Sequence, residues 1–169
     1  TDLLRHAVAG CVDAMPDSTL IFAPHGPSYD RYVPGAHAPT GAGWAYENRT
    51  TAIRIPGGAP AARRIEHRVA CGDINPYLML AAVLGAALIG IEDQMTPPAP
   101  LTGNAYEQDL PQLEPNWDSA ILRFQDSKWM RRIFHADLVE NLVRTKRQEL
   151  TKMSKISKNT LWKTYLEAV

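Results

Sequence analysis

Apolar positions first recur at helical spacing. Leu3, Leu4, Ala7, Val8, Cys11, Val12 and Met15 follow one another every three or four residues, which predicts a helix capped by Thr1 or Asp2 and ended by Pro16. The pattern then dissolves. Residues 20–48 carry Pro24, Gly26, Pro27, Pro34, Gly35, Pro39, Gly41 and Gly43 and read as a loop. Loops of that length inside compact domains are usually functional. Residues 50–55 alternate as a strand, residues 56–60 (Pro-Gly-Gly-Ala-Pro) connect, and Arg63 to Val69 reads as a second strand able to form a hairpin with the first. Asn75 is placed to cap the next helix with Pro76 at its first position. That helix runs to about Ile91 and is apolar on nearly every side, which predicts a central position. After a second loop over residues 97–115, the spacing predicts helices at about 116–126, 128–135, 136–153 and 157–168.

Helix, two strands, then mostly helix defines an α+β chain. Two strands alone do not make a stable free-standing sheet. The expectation is therefore an antiparallel hairpin belonging to a larger sheet and packed with several helices.

Size and charge narrow the reading. The chain has 169 residues, enough for one domain or most of one. Its 18 basic and 18 acidic side chains cancel, so no global field recruits nucleic acid or an anionic membrane. The apolar run from Pro76 to Ile91 falls short of the roughly 20 residues a membrane span needs. No secretory leader is visible at Thr1-Asp2, and Cys11 and Cys71 lack metal-ligand spacing; both are expected as buried thiols, in a cytoplasmic protein. Residues 144–163 are rich in Lys and Arg with Glu149 as their one acid, and a solvated face or subunit contact explains them more simply than nucleic acid does.

Side chains alternate across a strand, so Arg64, Glu66 and Arg68 share one face of the second strand, while Ile65 and Val69 take the other. Arg54 faces opposite to Ile53 and Ile55. A paired hairpin would gather these arginines and the glutamate on one polar face. Arginine forks bind phosphate and carboxylate oxygens in a bidentate way, and a carboxylate among them can hold Mg²⁺. That combination suits phosphoryl transfer, in which charge accumulates on oxygens. The plainer reading is a solvated strand face with cross-strand ion pairs. The pattern by itself leaves both open.

Four short motifs add to it: Asn48-Arg49-Thr50, Arg54-Ile55-Pro56, Arg64-Ile65-Glu66-His67-Arg68 and Asn75-Pro76-Tyr77-Leu78. In this order and spacing they resemble the glutamine synthetase family, ATP-dependent ligases that join a glutamate carboxylate to an amine. The likeness runs from about Thr1 to the C-terminus. It implies that residues 1–169 form the C-terminal part of that family's catalytic domain, with the first part and an N-terminal β-grasp domain lying outside this chain. It implies ATP and Mg²⁺ (or Mn²⁺) as cofactors, glutamate and an amine or ammonia as substrates, and a homo-oligomeric ring whose sites lie between subunits. By the same resemblance Arg49, Arg54 and Arg64 face the ATP phosphates, and Glu66 binds the metal. Arg68 contacts glutamate or its phosphorylated form and acts in catalysis with Arg49. The segment 28–35 (Ser-Tyr-Asp-Arg-Tyr-Val-Pro-Gly) matches a family segment whose arginine, here Arg31, holds the glutamate α-carboxylate.

Departures point to a branch. Ammonia-using members carry a glutamate in a flap where this chain has His37, within Pro34-Gly35-Ala36-His37-Ala38-Pro39. Their arginine before Asn-Arg is Glu47 here, and a lysine reaching ATP is matched by Ala61. Residues 38–50, Glu66 to Ala70 and Gly103 to Tyr106 are more similar to the γ-glutamylpolyamine synthetase branch. His37 is therefore expected on the catalytic, amine-accepting side. Trp44 and Tyr46 either wall an acceptor pocket or pack in the core. Tyr106 stands where some bacterial glutamine synthetases are adenylylated, although its flanks differ. His6, His25, His67 and His135 are expected at the surface or satisfied in the core. Two alternatives stay open beside a γ-glutamyl–amine ligase: an ammonia-using glutamine synthetase, and a non-catalytic structural relative or fragment.

Overall fold

The computed structural model describes residues 1–166. The first helix, α1 (Asp2–Asp13), is capped by the Thr1 hydroxyl, which accepts from the Leu4 amide. It crosses the long helix α3 (Pro76–Glu92) at a glycine contact. A methyl on Gly10 would collide with the Ala86 carbonyl, and one on Gly90 with the His6 carbonyl. These two glycines let the backbones approach as no other residue would. Cys11 and Cys71 are buried free thiols, as expected.

α3 begins as anticipated: the Asn75 side chain accepts from the amides of Tyr77 and Leu78, with Pro76 at the first position. Its burial corrects the expectation of a central helix. Ala82, Ala86, Ile89 and Gly90 are buried, whereas Tyr77, Leu80, Leu84 and Leu88 stand exposed. An apolar sequence on every side does not ensure a neighbour on every side.

Residues 20–48 are less irregular than a loop. They hold a short helix, α2 (Thr19–Phe22), a 3-10 turn (Gly26–Arg31), and a strand, β1 (Trp44–Tyr46). β2 (Ile53–Ile55) and β3 (Glu66–His67) pair antiparallel, with Arg54 opposite Glu66 and Ile53 opposite His67. β1 joins the other side of β2 in parallel, Trp44 opposite Ile53. The sheet thus has three strands in the order β1-β2-β3, one more than expected. Parallel neighbours normally need a long crossover. These strands have only three residues each, so residues 47–52 are enough to return the chain. Glu47 makes the reversal in a left-handed conformation, φ 53°.

The remaining helices are α4 (Trp117–Asp126), α5 (Lys128–Ile133), α6 (Ala136–Met153) and α7 (Lys158–Leu161), with a 3-10 turn at Trp162–Tyr165. The expected last helix, about 157–168, is shorter, and its final two residues lie outside the described ones. Asn116, Ser127 and His135 cap α4, α5 and α6 through side-chain acceptors. One core joins α4, α5 and α6 to α1, α2 and the sheet: Phe22, Phe124, Met15, Leu20, Ile121 and Met130 are each almost wholly buried. Lys146 is the exception to the solvated basic face of α6. It is buried and paired with Glu149 at 2.8 Å, over the ring of Trp117. No helix among the described residues is long and apolar enough to cross a membrane.

Candidate functional site

The pairing of Arg54 with Glu66 across β2 and β3 places a guanidinium and a carboxylate on one face. Arg54 Nη1 donates to Glu66 Oε2 at 2.9 Å. Its Nη2 donates to Glu47 Oε2 at 2.8 Å. Glu66 Oε1 lies 3.4 Å from Arg68 Nε. Glu66 is therefore the shared carboxylate of two arginines, and Arg54 the shared arginine of two carboxylates. The Arg54 side chain is only 13% exposed, so its two pairs form where water screens them less than at an open surface. The hydrogen bonds that Arg54 donates to Glu47 first, then to Glu66, push its pKa up. The Gly57 amide, then Arg54, holds the Glu47 carboxyl below its usual range.

Arg68 ties this lattice to two loops. Its amide donates to Ala52 O at 2.9 Å, continuing the β2–β3 pairing. Its Nη1 donates to the carbonyls of Arg49 and Thr51, the latter at 3.1 Å, and Nη2 reaches the His37 carbonyl at 3.5 Å. Arg49 and His37 are thus brought to Arg68 through their backbones, while their side chains are exposed. His37 adopts φ 60°, left-handed for a non-glycine residue, just after Gly35 at φ 83°. Strain of this kind concentrates at functional loops.

Arg31 and Arg64 are placed differently. Arg31 Nη1 donates to Val69 O at 2.6 Å, one residue past Arg68, and lies 3.3 Å from Cys71 Sγ. Its guanidinium also rests against the Tyr32 ring, so it borders the lattice from the 3-10 turn. The regular strand is shorter than the expected Arg63 to Val69: it is only Glu66–His67, and Arg64 lies before it, exposed, with Nη1 3.4 Å from Ala62 O. A 3-10 turn at Pro60–Ala62 precedes it in the connection.

Trp44 packs in the core at 4% exposure and donates from Nε1 to Pro98 O at 2.8 Å; Tyr46, edge-on to it, is exposed. His67 turns to the back of the sheet against Phe22, with ring centroids 4.6 Å apart. Its Nδ1 is buried without a partner, which corrects the expectation of a satisfied histidine, and burial pushes its pKa down to about 4. His25 and Glu149 are 3.1 Å apart, beside Tyr165 Oη at 2.9 Å from the same carboxylate oxygen.

For a divalent ion, Glu66 provides one carboxylate of the hard oxygen type that Mg²⁺ prefers. Among the described residues no group of three or more His, Cys, Asp or Glu side chains is placed to complete a site. Both oxygens of Glu66 are engaged by arginine, Oε2 by Arg54 and Oε1 by Arg68. Sequence reading missed two contacts altogether: the grip of Glu47 on Arg54, and the bond from Tyr106 Oη to Ala38 O at 3.0 Å. Glu47 stood out only as a departure from the ammonia users, and nothing in the spacing pairs residue 106 with residue 38.

A strand-borne lattice of arginine and carboxylate thus lies beside a loop with a left-handed residue, and arginine forks are the groups that bind phosphate and carboxylate oxygens in a bidentate way. The model of the glutamine synthetase catalytic domain matches residues 1–165, and the chain belongs to that family. Among its relatives, the γ-glutamylethanolamide synthetase of Streptomyces coelicolor is 36% identical over 150 residues, covering 89% of this chain and 32% of that protein. The γ-glutamylputrescine synthetase of Escherichia coli is 38% identical over 130 residues, 77% of this chain and 28% of that one. A solved ADP complex of GmaS superposes on 99% of this chain and 40% of its own with TM-score 0.80 and 26% identity. The chain thus spans about a third of the length of the curated relatives it matches. The glutamine synthetase fold and the similarity to the γ-glutamyl–amine branch both stand as expected.

Proposed function

We propose that the protein carrying this chain is an ATP-dependent ligase that joins the γ-carboxylate of glutamate to an organic amine. The observation that carries the reading is the Arg54–Glu66–Arg68 lattice, with the His37 loop bonded to its outer arginine. A glutamate carboxylate oxygen takes the γ-phosphoryl group of ATP and ADP leaves. The amine nitrogen then attacks the acyl carbon, the C–O bond to phosphate breaks, and the nitrogen loses a proton.

Arg49 and Arg54 meet the nucleotide phosphates in this reading, and Arg68 meets the glutamyl γ-phosphate. Arg31 is assigned the glutamate α-carboxylate, with a torsional change that frees it from Val69. Arg64, exposed on the connection, is left for an outer phosphate contact. Glu66 holds one divalent ion, Mg²⁺ or Mn²⁺, which when bound neutralises phosphoryl charge. Preorganised positive charge at transferring oxygens is the main source of acceleration. His37 serves on the amine side. It offers a base near neutral pH without the fixed negative charge that would hold ammonium.

The same reading makes residues 1–169 the C-terminal part of a catalytic domain, in a ring whose sites are completed by other polypeptide. The exposed stripe Tyr77, Leu80, Leu84 and Leu88 on α3 supports this, because contiguous apolar patches of that kind mark contact surfaces. The 169-residue chain alone should accordingly release no phosphate from ATP with glutamate, Mg²⁺ and amines. The deciding experiment uses the complete enzyme and compares kcat/KM for ammonium, putrescine, spermidine, ethanolamine and simple monoamines. The reading expects an organic amine to lead. A clear preference for ammonium returns the protein to ordinary glutamine synthetase.

A further inference from the structure

Tyr106 lies in the 3-10 turn Ala105–Glu107, more than sixty positions from the flap in sequence. Its half-buried hydroxyl donates to Ala38 O at 3.0 Å, one residue past His37. The turn that carries it is not free to drift. Asn48 Nδ2 donates to Gly103 O at 2.7 Å, and the Ala105 amide donates to Thr50 Oγ1 at 2.9 Å. Asn48 and Thr50 flank Arg49, and the Asn48 side-chain oxygen in turn accepts from the Thr50 amide at 2.9 Å. The Arg49 carbonyl accepts from Arg68. A continuous run of hydrogen bonds therefore leads from Arg68, through the Asn48–Thr50 turn and the Gly103–Ala105 backbone, to Tyr106 and the flap.

The flap itself has few other anchors. Residues 33–37 are exposed, and the turn is closed by a bond from the Ala36 amide to Val33 O at 3.2 Å. The long reach from Arg68 to His37 O, at 3.5 Å, is weaker than a well-formed bond. Ala38, by contrast, is buried at 1% exposure, so its carbonyl is the point where the exposed flap enters the packed structure.

We propose that Tyr106 is a positioning residue: its hydroxyl fixes the flap bearing His37, residues 33–38, relative to the Arg54–Glu66–Arg68 lattice, here called the clamp, and so sets amine recognition and leaves nucleotide binding untouched. The assignment of His37 to the amine side rests on the function proposed above; the anchoring itself does not.

Tyr106→Phe removes the hydroxyl and keeps the ring. In the complete enzyme, amide exchange of residues 33–38 should quicken by about 5-fold, the effect of losing one hydrogen bond, with exchange across α3 unchanged. In the complete enzyme the KM for the amine should rise by about 5-fold, while the KM for ATP moves less than about 2-fold. Thr50→Val, which removes the acceptor for the Ala105 amide, should reproduce the exchange change. Unchanged flap exchange in Tyr106→Phe overturns the proposal, whatever the kinetics. Faster exchange with amine and ATP KM rising together overturns the division between the two sides. If no amine serves as substrate in the wild-type enzyme, the proposed function falls, and the exchange data still decide whether Tyr106 anchors the flap.

Discussion

The clamp and the flap meet at Arg68 and are built in opposite ways. In the clamp, the antiparallel ladder sets Arg54 opposite Glu66, and the side chains complete what the backbone began. In the flap, no ladder exists: the His37 and Ala38 carbonyls are its anchors, and His37 itself is left-handed, two residues after a left-handed glycine. Regular pairing fixes the charges of Arg54 and Glu66 relative to one another, as the proposed phosphoryl transfer requires. A loop with few anchors can change its side chain without disturbing that pairing.

Breaking the clamp should have the largest effect. Glu66→Ala in the complete enzyme removes a metal donor and leaves Arg54 and Arg68 without their common carboxylate. Turnover should fall by roughly 10³-fold or more, measured as phosphate release with glutamate, ATP and amine saturating. The melting temperature should move by only a few degrees, because the side chain is partly solvated. Wild-type turnover would mean that the lattice is a structural ion-pair network.

Arg68→Ala acts on both regions at once and should lower turnover by about 10²-fold to 10³-fold. It should also raise amide exchange at residues 33–39 and 49–51, whose carbonyls it holds. Lysine at this position should recover little, since one ammonium cannot reproduce a fork spread over Glu66, Arg49, Thr51 and His37. Recovery by Arg68→Lys to near wild-type rates would show that charge alone matters there.

Changes in the flap should be smaller and should shift selectivity more than rate. His37→Glu should move the ratio of kcat/KM for ammonium over putrescine upward by about 10-fold, because one added charge pair is worth about 1–2 kcal/mol in a partly solvated site. His37→Gly should raise stability slightly, by about 0.5–1 kcal/mol, through relief of the left-handed backbone. An unchanged amine profile in both variants would remove His37 from the acceptor side.

The smallest effect concerns the back of the clamp strand. His67 is neutral in the fold, with its pKa pushed down to about 4, whereas an unfolded chain restores it to about 6.5. The unfolded state then binds more protons between those values. The stability that His67 contributes is complete above pH 6.5 and is lost as pH falls through about 4. The slope approaches about 1.4 kcal/mol per pH unit in that window. His67→Gln should flatten this part of the denaturation profile. A profile with the same slope would place the titration elsewhere.

The local rules of the chain were legible without coordinates. Spacing located α1, α3, α4, α5 and α6 to within a few residues, and capping chemistry fixed the starts of α1 and α3, where Thr1 and Asn75 satisfy amides in their own next turn. The antiparallel pair and its polar face followed from alternation, and the short motifs placed Arg54, Glu66 and Arg68 on that face. Contacts between distant segments were not legible. β1 is three residues long amid glycine and proline, and it exists only because β2 lies beside it. The regular part of β3 stopped short of Arg64, and α3 kept an exposed apolar stripe because packing depends on neighbours. Sequence by itself determined the elements, the family and the charges available. Tertiary structure alone decided which carboxylate each arginine holds and which carbonyl anchors the flap, because these are pairings between residues whose separation along the chain carries no period.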